Sequence, residues 1–247
     1  MAKPIEIEEL SVSYGRGRKR QRVVHDVTFS IESGECVGFI GVNGAGKSTT
    51  IKALMGFIYA DAGRASMFGN DAGHPDGRRQ VGYLPEVALY YPFMRAEELL
   101  ALYGALSGMT RAQLRTRIPE VLQLVGLAGR GRDLLREFSK GMQQRLGIAQ
   151  ALIAEPSLLV LDEVSAGLDP MGRFELRELL KKLHQAGKTI FFSSHELSEV
   201  ESLCDRVILI DQGRIKKEVT QSELKQIGSE QSLESFFIEA IRGAVAS

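Results

Sequence analysis

The chain has 247 residues, with 31 Lys plus Arg balanced by 31 Asp plus Glu, so no overall field directs it to nucleic acid or to an anionic surface. Hydrophobic residues make up 44% and charged residues 25%, which excludes a disordered chain and suits a globular protein with a substantial core. Its two cysteines, Cys36 and Cys204, are too few for a disulfide framework and fit a reducing cytosol.

Short β-rich runs alternate with amphipathic helical stretches, an α/β pattern without repeats or low-complexity segments. The opening MAKPIEIEEL lacks the charged leader and apolar stretch of a signal peptide. IEIEEL, VTFSI and CVGFIG read as strands, with the basic run RGRKRQR, Arg16 to Arg22, as a solvated hairpin tip between the first two. GVNGAGKST, Gly41 to Thr49, then leads into the helical run TTIKALMGF. Between about Met94 and Ala154 strand signals vanish and helical periodicity takes over. Here Thr110 and Gln113 have capping-box spacing, and Pro119 is expected to break or kink its helix. The apolar stretch Leu99 to Met109 is far short of the roughly 20 residues that span a bilayer. SLLVLDE, TIFFSS and RVILIDQG follow, and their nearly continuous apolar character predicts parallel strands buried on both faces. After Gly213 come RIKKEV and two short helices, the first opened by Thr220 with Glu223 at capping-box spacing. The expected organisation is one domain over 1–247. It has a catalytic core with a β subdomain at about 1–93 and 155–220, an inserted helical subdomain at about 94–154 and a helical extension at about 220–247.

Four segments carry chemistry. Gly41, Gly44 and Gly46 permit a tight wrap in which successive backbone N–H groups, with Asn43, Ala45 and Thr49 in the same loop, aim at phosphate oxygens. Lys47 can then meet the β and γ phosphates, and Ser48 a magnesium ion. LLVLDE places two acids at the end of an apolar strand, where unpaired carboxylates are expensive. Asp162 suits a magnesium partner, directly or through water, and Glu163 a general base for water attacking a γ phosphate. His195 follows TIFFSS with Ser193 and Glu196 at capping-box spacing, which puts it at a strand's carboxyl end, where α/β sheets bind ligands. FSKGMQQR, Phe138 to Arg145, is a second anion-seeking segment: Ser139 can cap a helix whose dipole favours negative charge.

In this order the pieces resemble the ATP-binding subunit of ATP-binding cassette (ABC) transporters over essentially the whole chain. In detail they are similar to bacterial exporters with separate membrane subunits. Gly41 to Thr49 looks like the Walker A loop, Leu158 to Asp162 like Walker B with Glu163 as catalytic glutamate, and Ser165 to Asp169 like the D-loop. FSKGM resembles the signature, with Ser139, Gly141 and Gln143 as its ligand-facing members; His195 matches the switch histidine, and Tyr14 the aromatic residue that stacks on adenine. The resemblance implies a P-loop NTPase (RecA-like) core of mainly parallel sheet, an antiparallel β subdomain and an inserted α-helical subdomain. It implies ATP and magnesium as cofactors, and hydrolysis by Glu163, His195 and Lys47. It also implies a homodimer or heterodimer with a second ATPase subunit, whose γ phosphate the signature faces. An integral membrane permease is the other implied partner, no nucleic acid is expected, and the implied location is the cytoplasmic face of the inner membrane. Leu84 to Arg95, with Tyr90, Tyr91, Phe93 and Met94, would receive the permease's coupling helix.

The chain departs from the family pattern at Glu86, where the Q-loop usually has glutamine. A carboxylate keeps an oxygen for metal or water, loses the amide donors and adds charge beside phosphates. Lys140 and Met142 in the signature and Val164 before the D-loop also depart, without removing a catalytic group. The competing readings are a soluble ABC-type ATPase uncoupled from transport and a nucleotide-sensing regulatory subunit; Glu163 and His195 argue for turnover.

Overall fold

The computed structural model describes residues 2–196, 200, 203–230 and 232–243. One antiparallel sheet is built from β1 (Ile5–Tyr14), β2 (Gln21–Ile31), β4 (Ala62–Met67) and β5 (Asn70–Asp71) in the order β2-β1-β4-β5. The other has the order β10-β9-β3-β8-β7-β6, from β3 (Cys36–Ile40), β6 (Val81–Leu84), β7 (Leu158–Leu161), β8 (Thr189–Ser194), β9 (Arg206–Asp211) and β10 (Arg214–Thr220). All its pairings are parallel except that of edge strand β10 with β9.

Side-chain alternation along the parallel strands explains why they read as unbroken apolar runs. Val37, Phe39, Leu158, Val160, Phe191 and Ile208 enter one core, with the antiparallel sheet and α1 (Lys47–Leu54). Their neighbours Ile40, Leu159, Leu161, Ile190, Phe192 and Leu209 enter a second core on the opposite face. Phe29, Phe39 and Phe191 meet in the first, with ring centroids 5.5 to 5.6 Å apart. Each such side chain, once buried, contributes about 1.5–3 kcal/mol. A short helix, α2 (Pro75–Arg78), lies between β5 and β6, and the second core is covered by α3 (Ala96–Leu106), α4 (Arg111–Leu124), α5 (Lys140–Leu152), α6 (Pro170–Gln185) and the C-terminal helices Gln221–Glu230 and Leu233–Gly243.

Several local expectations change. Strands β1 and β2 run longer than IEIEEL and VTFSI, and Arg22 lies inside β2 instead of the turn. Register shifts between Ile7 and Leu10 and between Leu10 and Val12, with Glu9 at φ 48° and Asp26 at φ 50°, break the alternation that would have marked their full length. Pro119 does not end its helix, because α4 continues through it to Leu124 with Leu114, Val121 and Leu122 buried on either side. The capping boxes of Thr110 with Gln113 and of Thr220 with Glu223 both form. The capping-box spacing of Ser193 and Glu196 implies a helix opening at His195; residues 197–199, 201 and 202 on its path lie outside the described residues, as do residues 244–247 of the expected extension.

Candidate active site

The phosphate-type loop joins the carboxyl end of β3 to α1. Gly46 caps α1 with φ 109° and Gly44 has φ 83°, a left-handed region in which glycine alone is unstrained. At Gly41 the limit is space: a Cβ would lie 2.3 Å from the Ile210 carbonyl oxygen. The β9–β10 turn braces the loop from outside, where Gly213 N–H donates to the Ala45 carbonyl at 2.8 Å. A Cβ on Gly213 would come within 2.1 Å of the Val23 carbonyl oxygen, so this glycine too is required by close approach. The Tyr14 hydroxyl, at the end of β1, lies 3.5 Å from Thr49 Oγ1 on the same loop.

The Lys47 side chain is 5% exposed, and its ammonium donates to the Gly41 carbonyl at 2.6 Å and pairs with Glu163 Oε1 at 3.0 Å. Glu163, 7% exposed at its side chain, also accepts His195 Nδ1 at 2.7 Å through Oε2. It stands just past the end of β7 with φ 49°, a left-handed conformation that costs a side-chain-bearing residue about 1–2 kcal/mol. Its backbone N–H donates to Ser193 Oγ at 2.9 Å.

Asp162 is buried beside it. Burial pushes its carboxyl above the usual range, opposed by hydrogen bonds from Ser193 Oγ at 2.6 Å and Ser48 Oγ at 3.1 Å. Ser48 and Asp162 thus present a hydroxyl and a carboxylate oxygen side by side at the start of α1. Hard oxygen donors in this number suit magnesium, which takes one or two protein ligands and completes its shell with phosphate and water. Among the described residues no cluster of three or more His, Cys, Asp or Glu could cage a metal on its own.

Glu86 lines a cleft of about 250 Å³ together with Asn43, Gly44, Lys47, Ser48 and Glu163. Ser139, Gly141 and Asp169 line a different cleft of about 460 Å³, which shares no residue with the first. There Ser139 caps α5 by accepting Met142 N–H at 3.3 Å, and Asp169 caps α6 by accepting Gly172 N–H at 2.7 Å. Gln143 turns back to the Phe138 carbonyl at 3.3 Å. Glu86 and Lys140, two of the departures from the family pattern, both line a third cleft of about 260 Å³ that also takes in Gln143. Lys140 crosses Gly167, where an added Cβ would fall 1.8 Å from its Nζ.

Two residues escaped the sequence reading. Ser193 is not a helix cap: its hydroxyl is committed to Asp162 and Glu163, while Glu196 N–H donates to Ser194 Oγ and the Glu196 carboxylate pairs with Arg173. Gly213 carried no signal beyond its place in a turn. In the expected coupling groove, Tyr91 and Phe93 are exposed with rings 5.6 Å apart, as are Val87 and Leu89. Tyr90 and Met94 instead pack on the second core, and burial drives the Tyr90 hydroxyl well above its usual range.

The ABC transporter family model matches residues 24–166, more than half of the chain. The chain belongs to the ABC transporter family. An ABC transporter ATP-binding protein of Synechocystis is 40% identical over 219 residues, covering 87% of this chain and 62% of the relative, so the match spans less than two thirds of that protein. The linearmycin resistance ATP-binding protein of Bacillus subtilis is 36% identical over 222 residues, 89% of this chain and 70% of its own length. A solved ATP-binding subunit of an ABC transporter superposes with a TM-score of 0.83 at 34% identity, over 96% of this chain and 99% of the other. The ABC assignment makes the P-loop NTPase fold expected from the sequence the correct one, with its parallel core, antiparallel sheet and helical part. Among the described residues of this ABC protein no helix is long and apolar enough to cross a membrane.

Proposed function

We propose that the chain is the ATP-binding and ATP-hydrolysing subunit of an exporter, working as a dimer of two such subunits beneath an integral membrane permease at the cytoplasmic face of the inner membrane. The observation that carries the reading is Glu163 held between Lys47 and His195 against the phosphate loop. The loop amides, Lys47 and the positive end of α1 bind and orient the triphosphate, and Tyr14 supports the base. Phosphate oxygens compete with Glu163 Oε1 for the Lys47 ammonium, which frees that carboxylate to take a proton from the attacking water. His195 Nδ1, on the other carboxylate oxygen, keeps Glu163 oriented during the transfer. Ser48 and Asp162, with Glu86 on the same cleft, would hold magnesium, which neutralises charge developing on the phosphates.

Dimerisation is favoured by the separation of the two anion-seeking clefts. Ser139 and the amides at the start of α5 line no part of the cleft that holds Lys47, so a second copy is the natural source of the γ phosphate they would meet. Export is favoured by kinship with an ATP-binding protein named for linearmycin resistance. The exposed Leu89, Tyr91 and Phe93 offer the apolar and aromatic contact area a permease helix needs.

The test is ATP turnover per protomer as the protein is diluted. Turnover should fall on dilution in wild type and stay low at all concentrations in Ser139→Ala. A per-protomer rate independent of dilution and of Ser139 would contradict the two-copy site.

A further inference from the structure

We propose that Ser193 is a positioning residue that sets both carboxylates of the site through a single hydroxyl. It is fully buried in β8, and its Oγ donates to Asp162 Oδ1 at 2.6 Å while accepting the Glu163 amide at 2.9 Å. A hydroxyl has one proton and two lone pairs, so both roles are filled at once. Strand register accounts for the placement. Leu161 of β7 pairs with Phe192 of β8, and the next residues along the two parallel strands are Asp162 and Ser193. Because Asp162 Oδ1 also accepts Ser48 Oγ at 3.1 Å, a continuous chain of hydrogen bonds runs from β8 through Asp162 to the first turn of α1.

The amide contact carries a second consequence. Glu163 turns through the left-handed region, and its N–H, pointing into the core, finds its acceptor in Ser193. A buried amide without a partner is costly, so loss of that acceptor favours other backbone directions at residue 163. The direction matters because from it the side chain reaches both Lys47 and His195. Ser193 is not itself placed to contact the nucleotide; it acts through Asp162 and Glu163, the two residues it holds.

The inference rests on the proposed site, and its test separates the two. On the purified full chain, binding of a fluorescent ATP analogue is titrated without metal and then against magnesium, and kcat and KM are measured alongside. In Ser193→Ala, metal-free binding, and KM at saturating magnesium, should match wild type, because the loop amides and the Lys47 ammonium remain in place to hold the phosphates. The magnesium concentration for half-maximal binding should rise, and kcat fall, each by about 10–100-fold, the usual range for partners that orient metal ligands. Ser193→Thr, which keeps the hydroxyl, should restore both. If Ser193→Ala does not fold, Ser193→Cys, of similar volume but with a weak donor and acceptor, is read in the same way. Wild-type kcat and magnesium dependence in the alanine or cysteine variant would overturn the assignment, as would a folded threonine variant as impaired as alanine. Absence of ATP turnover in wild type would instead strike the functional reading itself.

Discussion

A carboxylate that meets a lysine on one oxygen and a histidine on the other is aimed as well as charged, and Glu163 has that geometry while nearly buried. Tyr14 makes a contrasting contribution at the far side of the loop. It is 42% exposed and its hydroxyl lies 3.5 Å from Thr49 Oγ1 on the loop, which leaves part of the ring open to a stacked base. Tyr14→Ala should therefore raise KM for ATP by about 1–3 kcal/mol equivalent and leave kcat near wild type. An unchanged KM in a steady-state assay would remove the ring from base binding. The loop residues were legible in the sequence because glycine, lysine and serine are each demanded there by local geometry. Ser193 was misread for the opposite reason: S-x-x-E is also what a buried strand-end serine followed by a surface acid looks like. Its real partner, Asp162, is 31 residues away and invisible to local spacing.

Among the elements, the parallel strands were plain because both faces are buried, whereas β1 and β2 were cut short by bulges that disturb alternation. Pro119 shows tertiary packing overriding a local breaker, since Arg117 beside it also donates to the Leu152 carbonyl at the end of α5, 2.9 Å away. A comparable cross-element tie joins the central sheet to β2. Arg206, at the start of β9, donates to Glu35 Oε1 at 2.7 Å and to the Ser30 carbonyl at 2.6 Å. Burial raises the Glu35 carboxyl, but the hydrogen bond and charge of Arg206 outweigh it and leave the group below its ordinary value of 4.5. The resulting stability is present above that value and is lost as pH falls through the lower folded value. Urea midpoints of wild type and Glu35→Gln should accordingly differ near neutrality and converge in acid below the folded value. A gap that persists unchanged in acid would show that the ionised pair is not its source.

At the scale of the molecule, two cores on opposite faces of one sheet hold the ends of β3, β7 and β8 together. Lys47, Asp162, Glu163, Ser193 and His195 arrive there from distant stretches of sequence. The order of the motifs made the convergence of Lys47, Asp162, Glu163 and His195 legible in advance; the place of Ser193 among them, the bracing of the loop by Gly213 and the sharing of one cleft by Glu86 and Lys140 needed the structure. The helical part places Ser139 at a helix start on a cleft that shares no lining residue with that of the phosphate loop, and the proposed second copy rests on that separation. Turnover and oligomeric state of Glu163→Gln in the presence of ATP and magnesium test this most directly. The account predicts that the variant still binds ATP, loses about 10²–10⁴-fold in turnover and accumulates as a nucleotide-bound dimer. Near-normal turnover, or a variant that stays monomeric with ATP bound, would contradict it.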